Sequence, residues 1–395
     1  MEFINKILYG GEDLKNSRVF RLLNIFFSGI GVLFVIALIF ILITNIAGLG
    51  TLISVVGLIK AQSLYDIDTS RAINGATSGI VSSLKDPYSV YMDKETWQDL
   101  KLRLEAQFGG IGVYVLQDSS GRLKIVSPIP GTPAHTAGLK QGDIIIRIDG
   151  ESALNMSQDE AVHLMRGDSG TQLVLGIYRE SEGKEYDFRI IREIINVPSV
   201  EDKLIEDTPQ IGYIRLNQFH IRSAEEMADS LNQLLQQEKI KGLVLDLRYN
   251  GGGEFDAAVS IASIFLDGDE IVSVADAEGN KSVHRASTGK IDIPVVVLVN
   301  QDSASASEIL AGALQDNKRA LLVGQKTFGK GLVQTIFPLH NGGALKLTTQ
   351  KYYTPDGTDI NEIGINPDYV VENEMESTED KQLQKAVELL KEQIY

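Results

Sequence analysis

Cysteine is absent from the chain of 395 residues, which excludes disulfide bonds, thiolate catalysis and cysteine-ligated zinc. Basic residues are in deficit as well, because 37 Lys and Arg stand against 53 Asp and Glu and give a net charge of −16. So acidic a surface repels phosphate backbones, and the sequence has no basic patch with interleaved aromatic residues, so no nucleic-acid partner is expected. The five histidines show no spacing to carboxylates that is typical of a metal site, so the sequence predicts neither a metal nor another cofactor.

Charge of either sign is missing from one long segment, Leu22 to Ile59. Its densest part, Ile25 to Ile43, is apolar on every face and long enough to cross a bilayer core of about 30 Å as a helix. The long flank before it favours an uncleaved anchor over a cleaved signal peptide. The basic residues before the segment outnumber those after it: Lys6, Lys15, Arg18 and Arg21 against Lys60 and Arg71. We therefore expect a cytoplasmic tail over residues 1–21 and a transmembrane anchor over residues 22–45 of a single-pass cell-membrane protein, with the rest of the chain extracytoplasmic.

After the predicted anchor, the spacing of hydrophobic residues changes from a helical to a β-type pattern. Residues 46–99 have a helical pattern, with a turn signal at Asp86-Pro87. Residues 100–191 contain short β-type runs and one helix, which Ser157 should start as N-cap with Glu160 as its capping-box partner. A small α+β module is therefore expected after an N-terminal helical region.

Strands alternate with helices over residues 192–375, and residues 376–395 have the pattern of a C-terminal helix. Such alternation predicts an α/β domain with a largely parallel sheet, whose ligands bind at the carboxyl ends of the strands. The predicted elements are Ile211–Leu216, Ala224–Gln237, Leu243–Leu247, Ala257–Phe265, Pro294–Val299, Ala306–Leu314 and Ala320–Val323.

Three polar segments follow predicted strands of this domain: Leu245–Phe255, Asn300–Ala320 and Val323–Thr335. The second contains the serine-rich run SASAS directly before a helix, where a hydroxyl lies near the positive end of the helix dipole. A lone serine at such a position is more often a helix N-cap. The first contains Asn250–Gly253, whose backbone N–H groups either form a plain turn or face a developing oxyanion.

A lysine in the third segment has an unusual setting, because Lys330 lies between Gly329 and Gly331. Glycine permits close backbone approach, and lysine acts as a base only if desolvation lowers its pKa. If the segment continues as a strand, Leu332 and Gln334 lie on the same face as Lys330, where Gln334 could hold the amine and Leu332 could exclude water. A surface lysine on an edge strand is the alternative.

Together these segments resemble the carboxyl-terminal processing proteases, also called tail-specific proteases. The likeness runs from about Leu64 to Asp368 and includes LKDPYSVYM, LDLRYNGGG, the run from SASAS to FGKGLVQT, YYTPDG and GINPD. It implies a serine endopeptidase with a crotonase-like α/β core and an inserted PDZ domain. Its nucleophile would be Ser305, its general base Lys330, and Gln334 would orient the lysine. The transmembrane helix predicted from the apolar segment would precede this part of the chain.

The same resemblance implies two oxyanion donors, the amide of Ala306 and one amide of the glycine loop. Members of the family usually have Asn-Pro-Gly-Gly in this loop, whereas this chain has Asn250–Gly253. We choose Gly252 as the donor.

The module over residues 100–191 resembles a PDZ domain, on the evidence of SPIPGTPAHTAGLKQGDIIIRIDG and of the loop before it. The loop residues that should take a terminal carboxylate are Phe108, Gly109, Gly110, Ile111 and Gly112. Polypeptides with apolar C-termini are therefore the expected substrates. Our hypothesis for Arg166, just after the PDZ helix, is that it relays peptide occupancy to the strand of Lys330; an ordinary helix C-terminal cation is the alternative.

The sequence leaves other interpretations of the base and of the function open. His220 could replace Lys330 as the base, although a solvated or packed histidine is the more ordinary role. The chain could be a catalytically silent PDZ adaptor at the membrane, or a crotonase-type acyl-CoA enzyme, which fits a PDZ domain badly. The sequence also leaves open an activating adaptor or lipoprotein as partner, and a homo-oligomer paired through the helices after the anchor.

Overall fold

The computed structural model describes residues 18–43, 47–118, 120–373 and 379–394. The chain divides into two compact units, Met1–Thr77 and Ser78–Tyr395. The described part of the first unit is helical, and the helices are α1 (Arg18–Ile43), α2 (Ala47–Gln62) and α3 (Thr69–Ser82), the last of which ends in the second unit.

Helix α1 covers most of the predicted anchor of residues 22–45, but its side chains are described only at Leu22 and over residues 25–36. Within the described residues, no helix is both long and apolar enough to cross a membrane. The rest of the predicted anchor, and the predicted tail up to residue 17, lie outside the described residues. Anchor and tail therefore stay predictions.

The second unit begins with a departure from the predicted helical pattern. Residues Val90–Met92 form a strand, β1, before the helix α4 (Lys94–Glu105). Strand β1 pairs antiparallel with β18 (Ala344–Tyr353), far along the chain. Tyr91 and Met92 are buried there, so a tertiary partner overrides the local helical signal at this point.

A five-stranded antiparallel path forms the next module, in the order β3-β4-β5-β7-β8, with β6 paired to β5 and with β2 and β9 as a separate ribbon. The strands are β2 (Gln107–Gly110), β3 (Val113–Gln117), β4 (Leu123–Pro128), β5 (Ile144–Ile148), β6 (Glu151–Ser152), β7 (Gln172–Arg179), β8 (Lys184–Ile191) and β9 (Glu193–Asn196), and the helices are α5 (Pro133–Ala137) and α6 (Gln158–Met165). The predicted capping box is confirmed, since the amides of Ser157 and Glu160 each donate to the side chain of the other.

The main sheet has the order β10-β11-β12-β15-β16-β19, parallel except for β10. Its strands are β10 (Val200–Ile205), β11 (Thr208–Leu216), β12 (Gly242–Asp246), β15 (Val295–Val299), β16 (Ala320–Gly324) and β19 (Tyr369–Val370). Alternate residues of β12 and β15 belong to two separate cores, as expected for strands buried on both faces. The predicted largely parallel sheet is confirmed.

Helices cover both faces of this sheet. One core contains residues of α7 (Ser223–Asn232), α8 (Phe255–Phe265) and α9 (Ala306–Asp316), and the other contains Ala386, Leu389 and Leu390 of α10 (Lys381–Ile394). The helix predicted over Ala224–Gln237 ends its α-helical part early and finishes as a π-helical turn, Gln233–Gln237. Beyond that turn, the Lys241 amide bonds to the Gln210 carbonyl, which aligns β12 with β11.

A second sheet has the order β1-β18-β13-β14, with β17 paired to β18. Its remaining strands are β13 (Glu270–Asp276), β14 (Lys281–Arg285) and β17 (Leu332–Pro338). Strand β17 begins two residues after Lys330, so this sheet carries one wall of the site described next.

Candidate active site

The carboxyl ends of three parallel strands meet at one cavity of about 570 Å³. The loop after β12 contributes Gly252, the loop after β15 contributes Ser305 and Ala306, and the segment between β16 and β17 leads to Lys330 and Gln334. All five predicted catalytic and oxyanion residues line this cavity. The structure therefore brings together residues that are far apart in the sequence.

Ser305 has a backbone conformation that few non-glycine residues adopt, with φ 57° and ψ −115°. Such strain persists only when neighbouring contacts hold it. The Ser305 amide donates to Glu308 Oε2 at 2.9 Å, and the hydroxyl-bearing residue remains partly exposed in the cavity. A sharp turn at the start of α9 thus places this residue on the wall of the cavity.

Glu308 joins the loop of Ser305 to the loop of Lys330. Its side chain is fully buried, and Oε2 accepts the amides of both Ser305 and Lys330 at 2.9 Å. The other oxygen, Oε1, accepts the Gly329 amide at 2.7 Å and the Thr327 hydroxyl at 2.6 Å. One carboxylate with four charge-assisted hydrogen bonds therefore fixes the two loops to each other.

Tyr352 makes a second connection between the same loops. Its hydroxyl is 3.2 Å from the carbonyl oxygen of Ser305 and also bonds the carbonyl oxygen of Lys330. The side chain is 1% exposed, and burial raises its pKa well above the usual value, so the phenol stays protonated as a donor. Neither Glu308 nor Tyr352 was predicted to have a role, although Glu308 follows Ser305 at the capping-box spacing of three residues.

The amine of Lys330 lies in a half-buried position. Burial lowers the pKa of this lysine, and the positive charge of Lys346 lowers it further, whereas Glu308 and Asp86 act in the opposite direction. A lowered pKa increases the fraction of neutral amine, which general-base catalysis requires. In this structure Nζ lies 4.8 Å from the centre of the Tyr88 ring.

Gln334 lies beside the lysine in the cavity without holding it. Its Nε2 donates to the Leu332 carbonyl at 3.2 Å. Strand β17 has a register shift between Val333 and Gln334, and a bulge interrupts the alternation of side chains that the prediction assumed. Leu332, Val333 and Gln334 consequently all line the cavity, and the orienting role of Gln334 stays a prediction.

The glycine loop packs tightly against the nucleophile loop. Gly252 has φ +97°, and a Cβ built on it would lie 2.6 Å from the Ala304 carbonyl oxygen and 2.9 Å from the Ala306 nitrogen. The Gly252 amide donates to Asn250 Oδ1 at 2.9 Å. As the first residue of α9, Ala306 has an N–H without an intrahelical partner. Ala306 is thus the readier oxyanion donor, whereas Gly252 would have to leave Asn250.

A second groove, of about 240 Å³, lies between β3 and α6. Four of the five predicted carboxylate-binding residues line it, namely Phe108, Gly110, Ile111 and Gly112. Gly109 packs elsewhere, because a Cβ on it would lie 2.0 Å from the Gly167 carbonyl oxygen. Arg166 also lines the groove, with its guanidinium carbon 5.0 Å from the centre of the Phe108 ring.

His220, the alternative base, is not brought to the cavity of Ser305. Its ring is 1% exposed, Nδ1 accepts the Arg222 amide at 3.2 Å, and Nε2 lies 3.7 Å from Glu226. Burial lowers its pKa. The histidine is packed in the loop before α7, which disfavours it as the base.

Comparison with protein families gives three matches along the chain. Residues 210–371 match the family described as "Peptidase family S41", residues 99–177 match "PDZ domain", and residues 46–96 match "Activating protease CtpB N-terminal domain". The family matched by the main sheet is thus one of peptidases.

Individual relatives agree with these matches. The carboxy-terminal-processing protease of Bartonella bacilliformis is 43% identical over 320 residues, covering 80% of this chain and 73% of that protein. The carboxyl-terminal-processing protease of Picosynechococcus sp. is 40% identical over 324 residues, covering 80% and 78%. Among solved structures, the photosystem II D1 C-terminal processing protease is similar with a TM-score of 0.50 at 30% identity, over 84% of this chain and 92% of that one.

Proposed function

This chain belongs to peptidase family S41 and is a carboxyl-terminal processing serine protease, and we propose that Ser305 is its nucleophile and Lys330 its general base. The observation that carries this assignment is the buried Glu308 carboxylate, which bonds the backbone of both residues at the mouth of one cavity. The alternative of a silent PDZ adaptor gains no support from the relatives named above, which are proteases.

The first chemical step is attack on the scissile carbonyl. Neutral Lys330 takes the proton of the Ser305 hydroxyl as Oγ bonds to the carbonyl carbon, and the carbonyl oxygen becomes an oxyanion. The Ala306 amide, with the amide of Gly252 once it leaves Asn250, stabilises that charge. Gln334 orients the lysine in this state.

The second half of the reaction reverses the proton flow. The lysine ammonium protonates the departing amine as the tetrahedral intermediate collapses to the acyl-enzyme. A water then attacks the ester while Lys330 removes its proton, and the same ammonium returns a proton to Ser305. One base therefore serves both halves, which a desolvated amine with a lowered pKa supports.

Substitutions at three residues test this assignment. The rate of hydrolysis of an unstructured protein with an apolar C-terminus should fall by at least about 10²-fold in Ser305→Ala and in Lys330→Ala, a decrease typical of removing a general base. His220→Gln is the matched control and should keep the rate. Loss in His220→Gln with activity left in Lys330→Ala would assign the base to the histidine.

We also propose that the groove between β3 and α6 selects substrates by their C-termini. A peptide would add as a strand beside β3, with its carboxylate at the loop of Phe108–Gly112. In this proposal Arg166, on the groove wall, relays occupancy to the strand of Lys330. Arg166→Ala should lower the turnover of substrates with a free apolar C-terminus and leave the slower turnover of C-terminally amidated substrates unchanged. If Arg166→Ala and wild type turn over both kinds of substrate at equal rates, Arg166 does not relay occupancy.

Membrane anchoring through residues 22–45 is part of the same proposal, with the catalytic domain extracytoplasmic. Its support is the absence of charge from Leu22 to Ile59, the basic flank, and the exposure of apolar side chains in α1, including Ile25 at 69% and Phe34 at 67%. The full chain should resist extraction from membranes by high salt or carbonate and yield only to detergent. Release by carbonate would contradict an integral anchor.

The proposal also covers activation and assembly through residues 46–96, and the fold of the catalytic core. The match of residues 46–96 to "Activating protease CtpB N-terminal domain" supports a role for this region in activation, with an adaptor or lipoprotein as the candidate partner. Pairing of two copies through the helices of this region is a further part of the proposal. The sheet with helices on both faces supports a crotonase-like core.

A further inference from the structure

The turn of residues Asp86 to Ser89 is fixed to the second sheet. The Tyr88 amide donates to Asp86 Oδ1 at 3.0 Å, and the Ser89 hydroxyl donates to Asp86 Oδ2. Ser89 Oγ in turn accepts the Thr348 amide of β18 at 3.0 Å. The backbone of Tyr88 is therefore held by a closed set of hydrogen bonds at the strand that pairs with β17.

The ring of Tyr88 points from this turn to the proposed base. Lys330 Nζ lies 4.8 Å from the ring centre, within the range in which an ammonium is attracted to the face of an aromatic ring. The structure shows no hydrogen bond between the described atoms Lys330 Nζ and Ser305 Oγ, and the Gln334 amide is bonded to Leu332. In the described part of the chain, the amine thus lies over the Tyr88 ring rather than at the Ser305 hydroxyl.

Three charged groups, on β18, on α9 and on the turn of Tyr88 itself, act on the same amine. Lys346 of β18 disfavours the ammonium, while Glu308 of α9 and Asp86 of the turn favour it. Lys346 lines the cavity with Lys330. Burial disfavours the ammonium most, and the nearby charges oppose one another. Attraction to the ring adds to the side that favours the ammonium.

We propose that Tyr88 is a positioning residue for Lys330, whose ring binds the ammonium form and keeps the side chain from Ser305 until the amine leaves the ring. This rests on the proposed role of Lys330 as general base. A cation–π contact needs the positive charge, so loss of the proton weakens the hold and frees a neutral amine for the serine hydroxyl. The ring therefore favours the resting form over the reactive one.

With this role for Tyr88, the region of residues 46–96 contributes a side chain to the active site. Tyr88 lies within residues 46–96, which match the N-terminal domain of an activating protease. Displacement of the Asp86–Ser89 turn would move the ring away from Lys330, so this region can change the readiness of the base without contacting the substrate.

The test uses the full chain in detergent and the rate at which a fluorophosphonate labels Ser305 as a function of pH. This probe needs no knowledge of the natural substrate. In Tyr88→Leu the apolar cover remains but the aromatic face is lost, so the midpoint of the pH profile should move down by about half a pH unit and labelling below the midpoint should become about threefold faster. Tyr88→Phe retains the face and should keep the wild-type midpoint.

Thermal unfolding of each variant separates a folding defect from this effect, since a misfolded protein would label more slowly at every pH. Equal midpoints in Tyr88→Leu, Tyr88→Phe and wild type would overturn the proposal, as would an upward shift in Tyr88→Leu. Labelling of Lys330→Ala at the wild-type rate would instead overturn the role of Lys330 and this proposal with it. Slow labelling of Lys330→Ala together with wild-type midpoints in the Tyr88 variants would leave the proposed function intact and contradict only the role of Tyr88.

Discussion

At the scale of single residues, Glu308 is an example of a residue of the site that no sequence motif predicted. Ser305 and Lys330 were predicted from the family resemblance, because each lies in one of the motifs that carry it, a serine run before a helix and a lysine between glycines. Glu308 has no such context, because its four donors come from two loops that meet only in the folded chain. Its importance follows from tertiary structure, and the same holds for Tyr88 and Tyr352.

Substitution Glu308→Gln should damage catalysis more than folding. The amide replaces one acceptor oxygen by an NH₂ group, so buried N–H donors of the loops lose their partner at a cost of about 1–3 kcal/mol. Small displacements of Ser305 against Lys330 should then lower kcat about 10²-fold. The measurements are kcat and the urea unfolding midpoint, with the exposed Glu278→Gln as the matched control. A Glu308→Gln variant with the kcat of that control would show that the carboxylate does not position the site.

Lys346→Met should move the pH dependence in the opposite direction to Tyr88→Leu. The charge of Lys346 disfavours the Lys330 ammonium, so its removal raises the pKa of Lys330. Activity depends on the neutral amine and increases as pH rises through this pKa, so the acid limb of kcat/KM should shift to higher pH.

The matched control for Lys346→Met is Lys351→Met on the same strand, an exposed lysine paired with Asp359 at 3.3 Å, which should leave the limb in place. An acid limb that stays put in Lys346→Met, or moves to lower pH, would contradict the electrostatic account of the site.

At the scale of elements, predictions succeeded where a pattern was local and failed where a partner strand decided the outcome. The strand β15 is apolar at every position, β12 is apolar apart from Asp246, and both strands are buried throughout. Such runs alternating with helices predict a parallel sheet from local pattern. The strand β1 and the bulge in β17 depend on pairing with β18. Neither could be predicted from residues near them in the chain, and the bulge interrupts the alternation of side chains on which the prediction for Gln334 was based.

The glycine loop offers a comparison between adjacent residues. Gly252→Ala should be severe, because the residue has φ +97° and its Cβ would meet the Ala304 carbonyl oxygen at 2.6 Å. Displacement of the loop should cost an oxyanion donor and about 10²–10³-fold in kcat. Gly251→Ala meets no atom within 4 Å and should keep both kcat and stability. Similar kcat values for the two variants would show that this loop does not shape the oxyanion site.

At the scale of the whole molecule, one arginine ties the PDZ module to the catalytic domain. Arg222, before α7, donates to the carbonyl oxygens of Glu105 at 2.7 Å and Ala106 at 3.3 Å, where the chain enters the module. Glu226 accepts the amide and hydroxyl of Ser199, both at 2.7 Å, where the chain leaves it. Both connections of the module are thus held at one helix.

Arg222→Gln should loosen this attachment without unfolding either domain. Amide hydrogen exchange should become faster in β2 and β9, the ribbon next to the attachment, and stay slow in β12 and β15 at the centre of the main sheet. Arg215→Gln, on β11, is a control for loss of an arginine elsewhere in the domain. Unchanged exchange in β2 and β9 would show that the arginine does not hold the module.

The regions of the molecule were predictable to different degrees. The change from short β-type runs to strands alternating with helices marks the module and the main sheet in the sequence. The second sheet was not predicted, because its strands come from residues 90–92, 270–285 and 332–353 and each is unremarkable alone. This sheet carries Lys346 and Gln334 and is bonded to the turn of Tyr88, so the environment of Lys330 was the least predictable part of the site.

The absence of cysteine allows one direct test of the catalytic pair. Lys330→Cys introduces a single thiol, and alkylation with bromoethylamine rebuilds an amine of lysine length that is less basic because of its sulfur. We predict that the unmodified variant loses at least about 10²-fold in kcat/KM, that aminoethylation restores activity with an acid limb at lower pH than wild type, and that carboxamidomethylation restores nothing. Near-wild-type activity in unmodified Lys330→Cys, or no recovery in an aminoethylated variant that still binds C-terminal peptides, would contradict Lys330 as the general base for Ser305.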